Sequence, residues 1–320
     1  VSALTGTTTR GLSKVFTLTL PEVQLLRDHL PGLSLPAFVP AAALEDSEDE
    51  AASPAVVLAA LQSRQLLDDE ATLADDDWSK RMPSVLLLAL SLQMTGRLVF
   101  QVQAWRPGAA GGLLDTLLNN TTVTDTLCAG MTVRASTGAD VPEAELTVAP
   151  VSGLYPTLAE LLPPEPTEHG RPAGTVSTGA ASLGLVESRA LIAAIRAGDE
   201  RVVASITADF HAEGARDVLQ DLSGAMGTGY RIKAFSSVGA GGALFARDWF
   251  RGPRGWLKLS VAVPPPEPGA AAPTAQAVTD EGRVTIRRTD ADGIRQDLLG
   301  LVAGIIAKSS TEPIGAPDAR

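Results

Sequence analysis

The alternation of apolar and polar positions is clearest over residues 242–263, GALFARDWFRGPRGWLKLSVAV. Two runs of aromatic and β-favouring residues flank Arg251-Gly252-Pro253-Arg254-Gly255. Proline presets one turn angle and glycine tolerates positive φ, so the pattern predicts a β-hairpin with its tip there. Period-two alternation puts Leu257, Leu259, Val261 and Val263 on a core face, and Trp256, Lys258 and Ser260 on the other. Further strands are predicted at 15–20, 96–107, 123–135, 144–149, 230–236 and 282–288. Helical spacing covers 21–30, 54–67, 78–92 (with Pro83 a break or a new first turn), 154–162, 182–195, 200–226 with Gly214 as a weak point, and 290–306. Thr19 is a candidate cap for the first helix, which Pro21 and Glu22 open. The Gly-rich stretch 108–120 reads as a loop or a helical turn.

These elements predict an α+β fold: a central, mainly antiparallel sheet flanked by two helical bundles. Residues 163–174, PPEPTEHGRPAG, hold four prolines and two glycines, which suit a linker and neither a helix nor a central strand. The expected organisation is a flexible start at 1–14, an α+β half at 15–162, the linker at 163–174, a second α+β half at 175–307 and a flexible tail at 308–320. AELTVAPVSGLYPTLAELL closes the first half and GRVTIRRTDADGIRQDLLGLV the second. Both run strand, polar turn, helix, which points to two related halves with pseudo-twofold symmetry.

Composition narrows the function. Net charge is −11. The first 160 residues carry 9 Lys and Arg against 19 Asp and Glu, the remaining 160 carry 17 against 18. An acidic surface argues against nucleic acid, whose phosphates need a basic one. No apolar run reaches the ~18 residues of a membrane span, and the N-terminal stretch lacks the apolar core of a signal peptide. The expectation is a cytoplasmic protein without membrane insertion. The single cysteine, Cys128, excludes an intramolecular disulfide and reads as a core residue in TLCAGMTV.

Candidate chemistry is sparse. His29, His169 and His211 stand alone, without metal-ligand spacing. GAGGAL at 239–244 lacks the dinucleotide-binding spacing, and there is no phosphate-binding loop, nucleophile elbow or HExxH. Asp75-Asp76-Asp77 reads as the acidic start of a helix rather than a cation site. No catalytic residue, metal or cofactor is therefore predicted. Two features favour protein binding: Trp249, Phe250 and Trp256 beside Arg254 in the Arg-rich turn, and Leu219, Leu222 and Met226 on helix 215–226. The same residues equally suit a core in which the rings pack the sheet against helices. If Trp256 anchors a partner, Trp256→Ala should weaken binding and leave the fold intact.

Five stretches in order resemble the EspG family, chaperones of ESX (type VII) secretion. VFTLTLPEVQLLRDHL is similar to the family's opening strand and helix. LQSRQLLDDEATLADD is similar to its Leu-x-x-Arg-Gly-Leu segment, with Arg64 and Leu66 matching and Gln65 in place of Gly. ELTVAPVSGLYPTLAELLPP is similar to the mid-chain unit ending in Leu-Leu-Pro. ARDWFRGPRGWLKLS matches at Asp248, Gly255 and Trp256. EGRVTIRRTDADGIRQDLL resembles the closing unit, with Arg283 where Trp is frequent. The resemblance covers about 15–306 and implies a cytosolic, non-enzymatic chaperone that binds helical secretion substrates, PE–PPE-like pairs or another ESX client. It implies a client surface on the hairpin, helix 215–226 and the 106–122 loop. A pocket between the halves serving an enzyme or small-molecule binder is the alternative, and a structural subunit a third.

Overall fold

The computed structural model describes residues 14–33, 53–107, 114–135, 143–163, 179–197, 199–208, 213–224, 227–236, 243–262 and 280–311. The expected linker beyond residue 163, His169, His211 and Met226 lie outside them. The fold is α+β, with a mainly antiparallel sheet of ten strands flanked by eight α-helices among the described residues.

In chain order the elements are β1 (Lys14–Thr19), α1 (Leu20–Asp28), α2 (Pro54–Ser63), α3 (Ser84–Thr95), β2 (Leu98–Pro107), β3 (Leu114–Val123), β4 (Leu127–Ala135), β5 (Glu143–Pro150) and α4 (Leu154–Glu160). Then come β6 (Ala180–Gly184), α5 (Leu185–Ala197), α6 (Glu200–Ala208), α7 (Glu213–Ser223), β7 (Gly229–Ser236), β8 (Ala243–Gly252), β9 (Gly255–Ala262), β10 (Arg283–Thr289) and α8 (Ala291–Thr311). The chain forms two compact units, Val1–Leu161 with Ile232–Phe245, and Leu162–Arg231 with Ala246–Arg320. The strands of the first run β1-β5-β4-β3-β2, then its parts of β7 and β8. Those of the second run from the remaining parts of β7 and β8 to β9, β10 and β6.

The two sequences 14–160 and 180–311 repeat one topology: a strand, three helices, a four-strand meander and a closing helix. In each, the last meander strand pairs antiparallel with the first strand. Leu18 faces Ala144 and Phe16 faces Leu146; Leu183 faces Val284 and Ala181 faces Ile286. The strand-to-helix corner repeats too. Glu22 Oε2 accepts from the Thr19 amide at 2.8 Å, and Glu187 Oε2 accepts from the Gly184 amide at 2.9 Å. Thr19 completes the first corner as a capping box, because its hydroxyl satisfies a second orphan amide. The closing helices match at Leu154 and Ile294, and at Leu158 and Leu298, all buried. Followed across the ladders, Asn120 opposite Met131 corresponds to Asp248 opposite Leu259. At that place Gln101 Nε2 donates to Asn120 Oδ1 in the first repeat. In the second, Arg231 grips Asp248 through two bonds of 2.6 and 2.9 Å.

Several boundaries differ from the sequence reading. The strand β6 occupies the start of the helix expected at 182–195, because Ala181 and Leu183 alternate as buried strand positions. The helix expected at 78–92 begins only at Ser84, since Pro83 suits a helix start and not its interior. Asp75 and Asp77 therefore head no helix: Asp75 accepts from the Thr72 amide and Asp77 from Ser79, closing turns. Trp78 is buried there, stacked on His29 with centroids 3.9 Å apart, and its indole donates to Thr72 O.

The expected 106–122 loop is also corrected. Residues 114–123 form β3, hydrogen-bonded between β2 and β4. Its polar residues Asn119, Asn120, Thr121 and Thr122 are buried. Asn119 Nδ2 donates to Thr132 Oγ1, Thr121 Oγ1 to Asn119 Oδ1 and Asn120 Nδ2 to Gln93 Oε1. A buried polar group costs little once it is paired, so a polar run can be a central strand. Cys128 is buried as expected, and burial pushes its thiol up to about 11.

Two glycines allow a paired test. A Cβ on Gly179 would lie 2.4 Å from the Gly214 carbonyl oxygen, whereas one on Gly300 would meet nothing within 4 Å. Gly179→Ala should therefore cost about 1–3 kcal/mol. Gly300→Ala, in the interior of α8, should stabilise by about 0.4–1 kcal/mol. Urea unfolding of the two variants checks both signs.

Candidate partner-binding surface

Helix α7, EGARDVLQDLS, has three distinct faces. Ala215, Val218 and Leu222 are buried. Asp217 and Asp221, one turn apart, face the tip of the β8–β9 hairpin. Arg216, Leu219, Gln220 and Ser223 line a groove shared with α5 and α6. The spacing i, i+3, i+4, i+7 of this last set is what places it on one stripe.

The hairpin is tighter than the sequence implied. Gly252 and Gly255 pair across a turn of Pro253 and Arg254, with Gly255 at φ +126°. The tip sits directly on the last turn of α7. A Cβ at Gly252 would lie 3.1 Å from Asp221 O, and one at Gly224 would lie 3.1 Å from Pro253 Cγ. Arg254 Nε donates to Asp221 Oδ1 at 2.6 Å, and Arg254 Nη2 to Asp217 O at 2.8 Å. Arg288 on β10 pairs with the other Asp221 oxygen and donates to Asp217 O. The Asp221 and Arg288 side chains are only 4% and 5% exposed, against 44% for Arg254. Hydrogen bonding to Asp221 holds the Arg254 guanidinium above its ordinary pKa. Two arginines at the C-terminal end of α7 also oppose the negative end of its dipole.

The groove itself is about 560 Å³. Ala194 and Ile195 of α5, Val203 and Ala204 of α6 and Leu219 of α7 give it an apolar lining, with Glu200 and Arg216 as charged groups. Its α6 wall is unusual: α6 has no buried residue, and Val202 is 39% exposed. Asp199 caps this helix by accepting from the amides of Arg201 and Val202.

Of the residues singled out from the sequence, Trp249, Phe250, Trp256, Leu219 and Leu222 are all buried. Trp249 packs against Tyr230 with ring centroids 5.7 Å apart. Arg254 alone among the described members is well exposed, and it turns to Asp221 and Asp217. The hairpin aromatics thus hold the sheet and its tip in place, and Leu219 backs the groove. The groove's α5 and α6 residues carry a weaker signal in the sequence, the paired valines of ERVVASITA, of which Val202 is exposed and Val203 half-buried.

No protein-family profile matches the sequence, and no curated protein does. Among solved structures, the chain is similar to the Mycobacterium tuberculosis type VII secretion system chaperone EspG5, solved in complex with a PE25–PPE41 dimer. The fold is that of EspG5. The likeness has a TM-score of 0.52 at 10% identity and covers 89% of this chain and 95% of EspG5. Drosophila melanogaster peroxisomal multifunctional enzyme type 2 aligns over 87% of this chain and 48% of its own at 12% identity and a TM-score of 0.17. M. tuberculosis HtdX aligns over 64% and 83% at 12% identity and 0.16. Among the described residues no helix is long and apolar enough to cross a membrane, and no group of three His, Cys, Asp or Glu could hold a metal.

Burial adds an expectation for the stability of Trp256 variants. With the ring 3% exposed, Trp256→Ala should destabilise by about 3–5 kcal/mol. Guanidinium unfolding followed by circular dichroism should show the lowered midpoint.

Proposed function

We propose that this protein is a chaperone or adaptor for type VII secretion substrates, which holds a helical client pair of the PE–PPE kind through the α5–α6–α7 groove. The observation that carries the reading is the EspG5-like fold over nearly the whole chain. The order of the five sequence stretches that resemble the EspG family supports it. The groove adds a physical reason. An apolar cleft of this size takes a few side chains from the end of a helical pair, and covering such a surface prevents the client's self-association. The binding must reverse for delivery, so moderate affinity suits the role. The acidic first 160 residues would keep the complex dispersed in the cytosol.

The test is co-expression with each PE–PPE-type pair of the same genome, followed by size-exclusion chromatography. A complex of fixed stoichiometry with at least one pair is the expected result. Ala204→Arg, on an exposed position of α6 in the groove, should abolish it without moving the melting temperature. If every pair folds yet none co-elutes with the wild-type chain, the reading is wrong.

A further inference from the structure

We infer that the β8–β9 hairpin is a positioning device for the partner groove, acting through Asp221, rather than a surface that the partner touches. This rests on the groove being the client site. Three observations carry it. The hairpin tip contacts the acidic face of α7, through Arg254 on Asp221 and Asp217, while the groove uses the Arg216, Leu219, Gln220 and Ser223 stripe of the same helix. The tip is seated closely on the end of α7, where an added Cβ at Gly252 or Gly224 would lie 3.1 Å from Asp221 O or Pro253 Cγ. The α6 wall has no buried residue, so α7 is the wall whose place is fixed by the core and by ion pairs.

The division of labour follows from the charges. Asp221 bridges two arginines that arrive from different strands, Arg254 at the turn and Arg288 on β10. A carboxylate with one oxygen for each guanidinium is held in two directions at once, and charge-assisted bonds of this kind are the strong ones. Asp221 adjoins Gln220, so holding its carboxylate fixes the rotation of α7 about its own axis. That rotation decides whether Leu219 backs the groove or a polar neighbour does. Hydrophobic sites are sensitive to such changes because packed walls do not deform continuously.

Arg254→Gln is the decisive variant. It removes the half-exposed clamp and leaves the buried Asp221–Arg288 pair in place, so the chain should fold. Asp221→Asn is the stronger companion, and where it fails to fold Arg254→Gln alone decides. The full-length proteins are titrated with the PE–PPE-type pair that co-elutes with wild type, and backbone hydrogen exchange is followed over residues 213–223. The expected result is an affinity about tenfold weaker, faster exchange across α7, and sheet exchange unchanged. Weakened binding with unchanged exchange in α7 would show that Arg254 meets the partner itself and overturn the inference. Unchanged affinity would overturn it as well. Ala204→Arg, measured alongside, separates the two failures. If Ala204→Arg still binds, the groove is not the client site and both readings fall. If it does not bind and Arg254→Gln binds like wild type, only the positioning role is lost.

Discussion

Each repeat depends on its first strand pairing with its last. Phe16 finds Leu146, and Ala181 finds Ile286, across more than a hundred residues of intervening chain. The paired strands are far apart in sequence, so the loop-closure entropy is spent before the reward arrives. Once the pairing forms, the three helices between must return across the sheet, and their apolar stripes find the face that the meander has built. The repeated corner, with Glu22 or Glu187 reaching back to the strand's last amide, sets the direction in which that return begins. Arg64 strengthens the first corner. It reaches Glu22 at 2.5 Å and the Thr17 carbonyl at 2.9 Å, joining the end of α2 to the strand and helix it follows.

The same scaffold holds different contents in its two copies. In the first, α1, α2 and α3 bury a continuous core of Leu26, Leu61, Trp78, Leu86 and Leu90 over β1, β4 and β5. In the second, α7 is well buried, but α6 contributes no buried residue and leaves a groove beside it. The polar contacts differ likewise. Beside the Glu22–Arg64 pair, the first repeat satisfies buried Asn and Thr through neutral bonds to Gln93 and Thr132. The second uses Arg231–Asp248 and the Asp221–Arg254–Arg288 cluster. Charged pairs have stricter geometry than neutral ones, which suits the repeat in which one helix must keep its place beside an open cleft. Removing Asp221 would strand Arg288 as a buried charge, far costlier than losing a surface pair.

The aromatic hairpin has the composition of a contact surface and the burial of a core. Tryptophan and arginine side by side are the composition of an interface, and equally of a sheet pinned to helices. Trp249 and Trp256 are buried with their indole N–H groups lacking a partner among the described residues, at a cost of about 1–3 kcal/mol each. Burial of the large rings offsets it. Their apolar area is spent on the second unit's own core, and the exposed apolar area lies instead on the less conspicuous Val and Ala positions of α6.

The sequence by itself determined most of the helices and strands, the hairpin, the Thr19 cap, the buried Cys128 and the kinship of the two closing units, because each rests on local periodicity, turn chemistry or capping. Tertiary structure decided what periodicity leaves open. LDTLLNNTTV became a central strand because Gln93, Thr132 and the flanking ladders satisfy its polar groups, and AASLG became an edge strand because β10 lay ready to pair with it. Above all, it decided which apolar residues face inward. Leu219 and Val203 both line the groove, yet Leu219 is fully buried and Val203 only half-buried. Burial is a property of neighbours distant in the chain, and no window of sequence contains them.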